Sequence, residues 1–416
     1  MRFIIVIIIW LLIDFYCFNA FKTALQNTQN YSKVITLTLY WVVDLFLISS
    51  ILYLNFSGKL ENGGVKSFSL LFGLTVVSLS PKLIITPFLL IEDIVRIFIY
   101  SFQKITSILY LNQMEPTFIG RRKIVSQISI GLAAIPFLGL IYGIVRGKYD
   151  YRVHKVDVFF DDLPLEFDGF KITQLSDIHS GSFDNKEAVE KGVKLANDQN
   201  SDLIVFTGDL VNNKAEEMDE WIPTFSKLKA PFGQYSILGN HDYGDYVKWD
   251  SEEEKKNNLK RLKEVHKEIG FNLLLNTTVK VKKGNSSIAL IGVENWGMRG
   301  FHQYGDLDKA ISSIDQSEFK ILLSHDPSHW EQKTLKHEKH VHLTLAGHTH
   351  GMQFGIEIPG FKWSPVKYIY KQWAGAYKKN GKYLYINRGF GFIGYPGRVG
   401  ILPEVTVLTL KRTKTS

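Results

Sequence analysis

At 416 residues the chain is longer than one ordinary domain and long enough for two. Its formal net charge of +8 favours anionic partners, and because apolar residues crowd the stretch before residue 150, a membrane accounts for that charge more simply than nucleic acid. A lone cysteine, Cys17, excludes an intrachain disulfide and a thiolate metal site, so any bound metal must use oxygen and nitrogen ligands.

Four apolar stretches come first, at residues 3–18, 34–54, 68–91 and 124–145, the third interrupted by Pro81-Lys82. A helix needs about 20 apolar residues to cross the hydrocarbon core. The last three meet that length. The first is slightly short, but Asp14, Phe15 and Tyr16 stand where the small residues of a signal-peptide cleavage site belong, so it reads as a retained helix. Residues 94–111 are amphipathic and either cross or lie on the surface. Arg121-Arg122-Lys123, with Arg96 and Lys104 before it, holds the loop ahead of the fourth span in the cytoplasm, which sends the rest of the chain to the other side of the cell membrane. Asp14, Asp44, Lys82, Glu92 and Asp93 lie in or beside these stretches, where charge is costly. Asp44 and Lys82 are expected to meet or to face the bundle, and the other three to sit at the interface. The expected division is an all-α transmembrane region at 1–148 and a globular domain at 149–416.

Beyond residue 150, short β-rich runs alternate with polar helical segments. Strands are predicted at 171–175, 202–206, 234–238, 287–293, 319–323, 341–345, 382–386 and 405–410, and helices at 185–200, 215–228 and 252–269. Runs this apolar, some joined by helices, imply sheets covered on both faces. The fold class is α/β: two sheets packed inside helices, with residues 411–416 as a frayed tail.

Five polar motifs follow apolar runs, at predicted strand ends. They are Ser176-Asp177-Ile178-His179, Thr207-Gly208-Asp209, Gly239-Asn240-His241-Asp242, Ser324-His325-Asp326 and Gly347-His348-Thr349-His350-Gly351. Asp177 and His179 are two apart, as are His348 and His350. In extended backbone such residues point the same way and can reach one ion. One pair alone is weak evidence; two pairs with three further polar strand ends point to a binuclear metal site. The glycines let the chain turn sharply from sheet to loop and approach an ion or a phosphate closely.

In the order and residue types of all five blocks, residues 170–410 resemble the calcineurin-like metallophosphoesterases. The block Gly347 to Gly351 followed by Gln353, with Asn387-Arg388-Gly389 and Pro403-Glu404 later, resembles the bacterial membrane-anchored phosphodiesterase branch. Many relatives have a second glycine where this chain has Met352, a position that shapes the cleft rather than binding metal. The resemblance implies a four-layer α-β-β-α sandwich holding two divalent ions. Asp177, His179 and His350 would hold the first ion, Asn240, His325 and His348 the second, and Asp209 would bridge them. Such a pair clamps a phosphate and lowers the pKa of a shared water, whose hydroxide attacks phosphorus in line. His241 would serve as a leaving-group acid or oxyanion stabiliser, oriented by Asp242. Asp326 receives no direct role. The ligand set suits Mn, Fe or Zn.

Residues 361–377 interleave aromatic and basic side chains, a composition that suits a membrane interface, a lipid headgroup or a packed flap. Arg388 and Arg398 are candidates to contact substrate phosphate. These features point to a phosphodiester substrate, a phospholipid or another envelope ester. Rival readings are hydrolysis of a nucleotide-linked lipid precursor at its pyrophosphate, which requires a cytoplasmic domain, and a membrane scaffold with a vestigial site, which predicts missing ligands. No helix-turn-helix, aromatic ladder or dense basic stripe supports nucleic acid. The oligomeric state is not legible.

Overall fold

The computed structural model describes residues 2–57, 65–110, 119–298 and 300–413. The chain divides into two units, Met1–Leu60 with Leu70–Tyr142, and Gly143–Ser416 with Glu61–Ser69. The first unit is helical, built on α1 (Arg2–Ala24), α2 (Asn30–Phe56), α3 (Val65–Tyr110) and α4 (Ile119–Val145). Each helix contains a window long and apolar enough to cross a membrane, with mean hydropathy of 1.9 to 2.2.

Two expectations change in this unit. Helix α3 is continuous for 46 residues, with Pro81 and Pro87 inside it, so no break falls at Pro81-Lys82 and the amphipathic stretch continues the same helix to Tyr110. Leu111 lies outside the described residues. Lys82 meets Asp44 at 2.5 Å, as expected, but also Asp14 at 2.7 Å, and all three are buried. Asp14 is therefore an interior residue: an ammonium group out of water needs more than one acceptor, and α1 supplies the second. Glu92 and Asp93 pair instead with Arg96 and Arg122.

The second unit begins with β1 (Arg152–Phe160), β2 (Lys171–Leu175), α5 (Lys186–Asn197), β3 (Leu203–Phe206), α6 (Ile222–Phe225), β4 (Gln234–Ser236) and α7 (Glu252–Glu268). It continues with β5 (Asn272–Leu273), β6 (Thr277–Lys283), β7 (Ser286–Gly292), α8 (Leu307–Ile311), β8 (Lys320–Leu323) and β9 (Leu343–Ala346). Two short strands, β10 (Ile356–Ile358) and β11 (Phe361–Trp363), form a hairpin before β12 (Gly375–Lys379), β13 (Lys382–Ile386) and β14 (Glu404–Arg412).

Two six-stranded sheets result, ordered β1-β14-β2-β3-β4-β5 and β12-β13-β9-β8-β7-β6. Side chains alternate across a strand, and β3 shows the consequence. Leu203 and Val205 pack between the sheets with Ile321, Leu323, Leu343 and Leu345, while Ile204 and Phe206 face Val193, Phe225, Leu262 and Val265 beneath the helices. Leu307 and Ile311 of α8 cover Ile291 and Leu322 on the outer face of the second sheet. The layers are α-β-β-α, as the resemblance implied. Helix starts follow local chemistry: the Asn185 side chain accepts from the Ala188 amide, and the Ser251 hydroxyl from that of Glu254.

The helix predicted at 215–228 is instead a tight turn at Ala215–Met218 and the single turn α6. Pro223 has no N–H to bond back along a continuing helix, so it stands in the first turn of a new one and the run is broken before α6. Strand β14 extends to Arg412, in register with Phe160, so the tail expected from residue 411 starts within the sheet. Residues 414–416 lie outside the described residues.

Candidate metal centre

All five motifs begin within three residues of a strand's C-terminal end: after β2, β3 and β4 in one sheet, and after β8 and β9 in the other. The site therefore sits across the seam between the sheets. The backbone there is not extended. Asp177, His179, Asp209, His348 and His350 all lie in the left-handed region, with φ between 48° and 73°. Residues other than glycine reach that region at a cost, and such cost concentrates at functional sites. The expected same-side reach of each pair is corrected accordingly. Asp177 and His179 do converge, but through turns, and His348 and His350 diverge to different clusters.

The first cluster is Asp177, His179 and His350. The Nε2 atoms of His179 and His350 stand 3.0 Å apart, and Asp177 Oδ1 lies 3.1 Å from His350 Nε2. The second gathers Asp209, His325 and His348, with Asn240 Oδ1 placed 2.8 Å from His348 Nδ1 and 3.1 Å from His325 Nε2. Asp209 Oδ2 stands between the clusters, 3.1 Å from His325 Nε2 and 3.5 Å from His179 Nε2. Every one of these side chains except His348 is buried at the residue level.

Supporting contacts select which atom each residue presents. The backbone carbonyl of Thr207 accepts from His325 Nδ1 at 2.7 Å, leaving Nε2 for the cluster. Tyr370 Oη meets His348 Nε2 at 2.8 Å and donates to Asp326 Oδ2 at 3.2 Å, leaving Nδ1 facing inward. Asn240 Nδ2 donates to Tyr246 Oη at 2.9 Å, which turns its oxygen toward the imidazoles. Such outer contacts fix tautomer and ring orientation. Converging lone pairs on nitrogen and oxygen, held in buried positions, fit divalent ions. Tyr246 carries no motif, and Tyr370 reads in sequence only as part of an aromatic run; their hydroxyls become meaningful once the fold brings them to ligand atoms.

Burial opposes charge on the carboxylates, yet His350 holds Asp177 below the usual range, and His325 with His241 holds Asp209 well below it. Burial also holds His179, His241 and His348 below the ordinary imidazole range, in the neutral form a ligand needs. His325 differs: burial lowers it, but the adjacent Asp209 overrides burial and brings it to about 10. This pocket selects positive charge.

Three other expected residues take different places. His241 lies beside the centre, its Nδ1 tied to the Asn212 carbonyl at 2.8 Å and its ring against Tyr246. Asp242 does not orient it. Both Asp242 oxygens are consumed by backbone N–H groups of Asp209, Leu210, Val211 and Gly239, at 2.8 to 3.3 Å. Asp242 is thus a clamp between two site loops. Arg388 is not available to substrate either: it is buried and bound to Glu404 at 2.6 Å and Glu357 at 2.5 Å. A guanidinium out of water requires such partners. Arg398 is buried too, donating to His350 Nδ1 at 3.0 Å and to the carbonyls of Gly391 and Ile401. Met352, where many relatives have glycine, has φ of 51° and is half exposed, so a left-handed turn accounts for that preference.

A four-layer sandwich with two ligand clusters at the seam defines the metallophosphoesterase class. Residues 170–352 match the family model described as "Calcineurin-like phosphoesterase", and residues 1–148 match "Probable Calcineurin-like phosphoesterase, transmembrane domain". This chain belongs to the calcineurin-like metallophosphoesterase family. It is 33% identical over 256 residues to the Bacillus subtilis "Uncharacterized metallophosphoesterase YkuE", covering 60% of this chain and 82% of that protein. It is 27% identical over 282 residues to the Danio rerio "Transmembrane protein with metallophosphoesterase domain", covering 65% of this chain and 60% of the relative's length. The Aquifex aeolicus "Uncharacterized metallophosphoesterase" is 28% identical over 268 residues, covering 63% of this chain and 93% of its own. The chain is thus a membrane-associated member of a phosphoester-hydrolysing family that uses divalent metals.

Proposed function

We propose that the protein is a two-metal phosphodiesterase of the cell membrane, anchored by residues 1–148 and acting on phospholipid or other envelope phosphodiesters through the domain at 149–416. The observation that carries this reading is Asp209 Oδ2 standing within 3.5 Å of both clusters, the position a bridging carboxylate takes. Asp177, His179 and His350 would hold one ion, and Asn240, His325 and His348 the other. Ions of the Mn, Fe or Zn type, when bound, neutralise phosphate charge and acidify water.

The remaining steps belong to the chain's own residues. Asn240 and Asp209 come from adjacent loops that Asp242 locks together, which fixes their spacing before substrate arrives. His241 has its Nδ1 held by Asn212, so Nε2 is the nitrogen it offers to substrate. Burial holds the free ring neutral; an anionic phosphate beside it would favour the imidazolium form, in which that nitrogen would deliver a proton to the departing oxygen. Next to Asn240, Tyr243, Asp245, Tyr246, Asn295, Phe301 and His302 line a cavity of about 210 Å³. It is suited to the alcohol side of an ester. Engagement of Arg388 and Arg398 elsewhere favours the singly charged diester over the doubly charged monoester.

The test uses the full-length protein with Mn, on a chromogenic diester and the matching monoester, with chelator and Asn240→Ala controls. Metal-dependent diester cleavage that vanishes in Asn240→Ala supports the reading; no cleavage of either ester despite bound metal rejects it. His241→Ala should slow esters with poor leaving groups far more than nitrophenyl esters. The basic residues 121–123, in the first turns of α4, support an extracytoplasmic domain, which predicts cleavage of the domain by external protease in intact cells. Protection there would favour the cytoplasmic pyrophosphohydrolase reading.

A further inference from the structure

The β10–β11 hairpin wears its apolar face outward. Its register pairs Ile356 with Trp363, Glu357 with Lys362 and Ile358 with Phe361. Alternation therefore puts Ile356, Ile358, Phe361 and Trp363 on one face and Glu357 and Lys362 on the other. In a sheet with one solvated face, the apolar side packs on the core and the polar side meets water. Here the arrangement is reversed. Glu357 turns in to the buried Arg388, and Lys362 Nζ reaches the Ala374 carbonyl at 2.5 Å and lies over the Trp373 and Tyr377 rings. Ile356, Ile358 and Phe361 are 51%, 59% and 53% exposed. The tip, Pro359-Gly360, is a sharp turn with Gly360 at φ 81° and open space where a side chain would stand.

We propose that this hairpin docks into the surface of an anionic lipid bilayer. Three observations choose that occupant. The described residues of the same chain include four helices long and apolar enough to cross a membrane. Residues 358–403 contain no aspartate or glutamate, and although Arg388, Arg398 and Lys382 are buried, Lys367, Lys371, Lys378 and Lys379 are exposed, so the charge this segment shows to solvent has one sign. Lys367 and Lys371 are exposed within it, with Tyr368 and Ile369 between them exposed as well. Apolar side chains entering the acyl boundary beside lysines at headgroup level is the composition of interfacial anchors. The Glu357–Arg388–Glu404 ion pairs explain how a polar-inward hairpin is held to the domain. The docking does not depend on which ester the metal centre cleaves.

The test places a spin label at the tip of the full-length protein. On a Cys17→Ala background, Ile358→Cys or, as a control on the exposed side of β6, Lys282→Cys is labelled and reconstituted in phosphatidylglycerol-containing nanodiscs. The ratio of accessibility to oxygen over a water-soluble nickel chelate should be severalfold higher at position 358 than at 282, and should fall when phosphatidylcholine replaces phosphatidylglycerol. Equal ratios at the two positions would overturn the proposal. So would spin–spin broadening between position-358 labels in discs holding two copies, which would make the face a self-contact. Depth is read without turnover, so an inactive protein with a buried label defeats the phosphodiesterase reading alone.

Discussion

Asp242 offers the sharpest test of how the centre is held. Its carboxylate accepts four backbone N–H bonds, two at each oxygen, from Asp209, Leu210, Val211 and Gly239. Asp242→Ala would strip all four donors at once in a fully buried place. Bonds to a charged acceptor contribute about 1.5–3 kcal/mol each, and partial relaxation and entering water recover part of the sum. The net cost is on the order of 4 kcal/mol. For a domain of this size that is a fall in midpoint of roughly 8–16 °C. Asp242→Asn keeps the shape but turns an amide N–H₂ toward two of the donors, so its loss should be intermediate. Thermal denaturation of the purified full-length protein, with metal content measured in parallel, checks both. The clamp predicts that stability and metal retention fall together in the order wild type, Asn, Ala. An Asp242→Ala protein that melts with wild type and keeps its metal, but has lost turnover, would refute the clamp and restore a direct role beside His241.

Arg388→Met should destabilise the protein by about 3–5 kcal/mol, because it strands the buried Glu404, while KM for a soluble diester stays near wild type; a raised KM with unchanged melting would mark a substrate contact instead. Burial alone would raise Glu404, but Arg388 outweighs it and brings the carboxyl down to about 2 from an ordinary 4.5. A depressed folded-state pKa gives stability that is full above pH 4.5 and lost as pH falls toward 2, roughly 3 kcal/mol in all. Denaturation midpoints below pH 4.5 should therefore drop less steeply in Glu404→Gln than in wild type. Tyr370→Phe removes the hydroxyl that meets His348 Nε2, and should weaken binding at the second cluster about 10–100-fold in a competitive chelator titration, with little change in the first.

What the sequence disclosed follows the physics of each feature. Motifs were legible where a strand buried on both faces ends its apolar run at the first polar residue, as β3 does at Phe206 and β8 at Leu323, both predicted limits. Strand β1 escaped notice because it is a sheet edge with His154, Lys155 and Asp157 among its residues, and β6 because its lysines face solvent. Roles that depend on distant partners were not legible. Arg388 looks like a phosphate ligand until Glu357 and Glu404, 31 and 16 positions away, are seen to hold it. Asp242 sits beside His241 in sequence, yet its carboxylate points into the loops. Asp14 reads as interfacial from hydropathy, and only helix packing shows it sharing Lys82 with Asp44.

The seam position of the centre has a mechanical consequence. Asp177, His179, Asp209 and Asn240 ride on one sheet, and His325, His348 and His350 on the other. Anything gripping both groups is a rivet through the two halves of the sandwich. Binding to the folded state alone adds about 1.4 kcal/mol of stability for each tenfold of free concentration above the dissociation constant. Scarcity of the ion would then be felt first as a loosening of one sheet against the other, visible as faster hydrogen exchange in Leu323 and Leu345 before the peptide chain as a whole gives way.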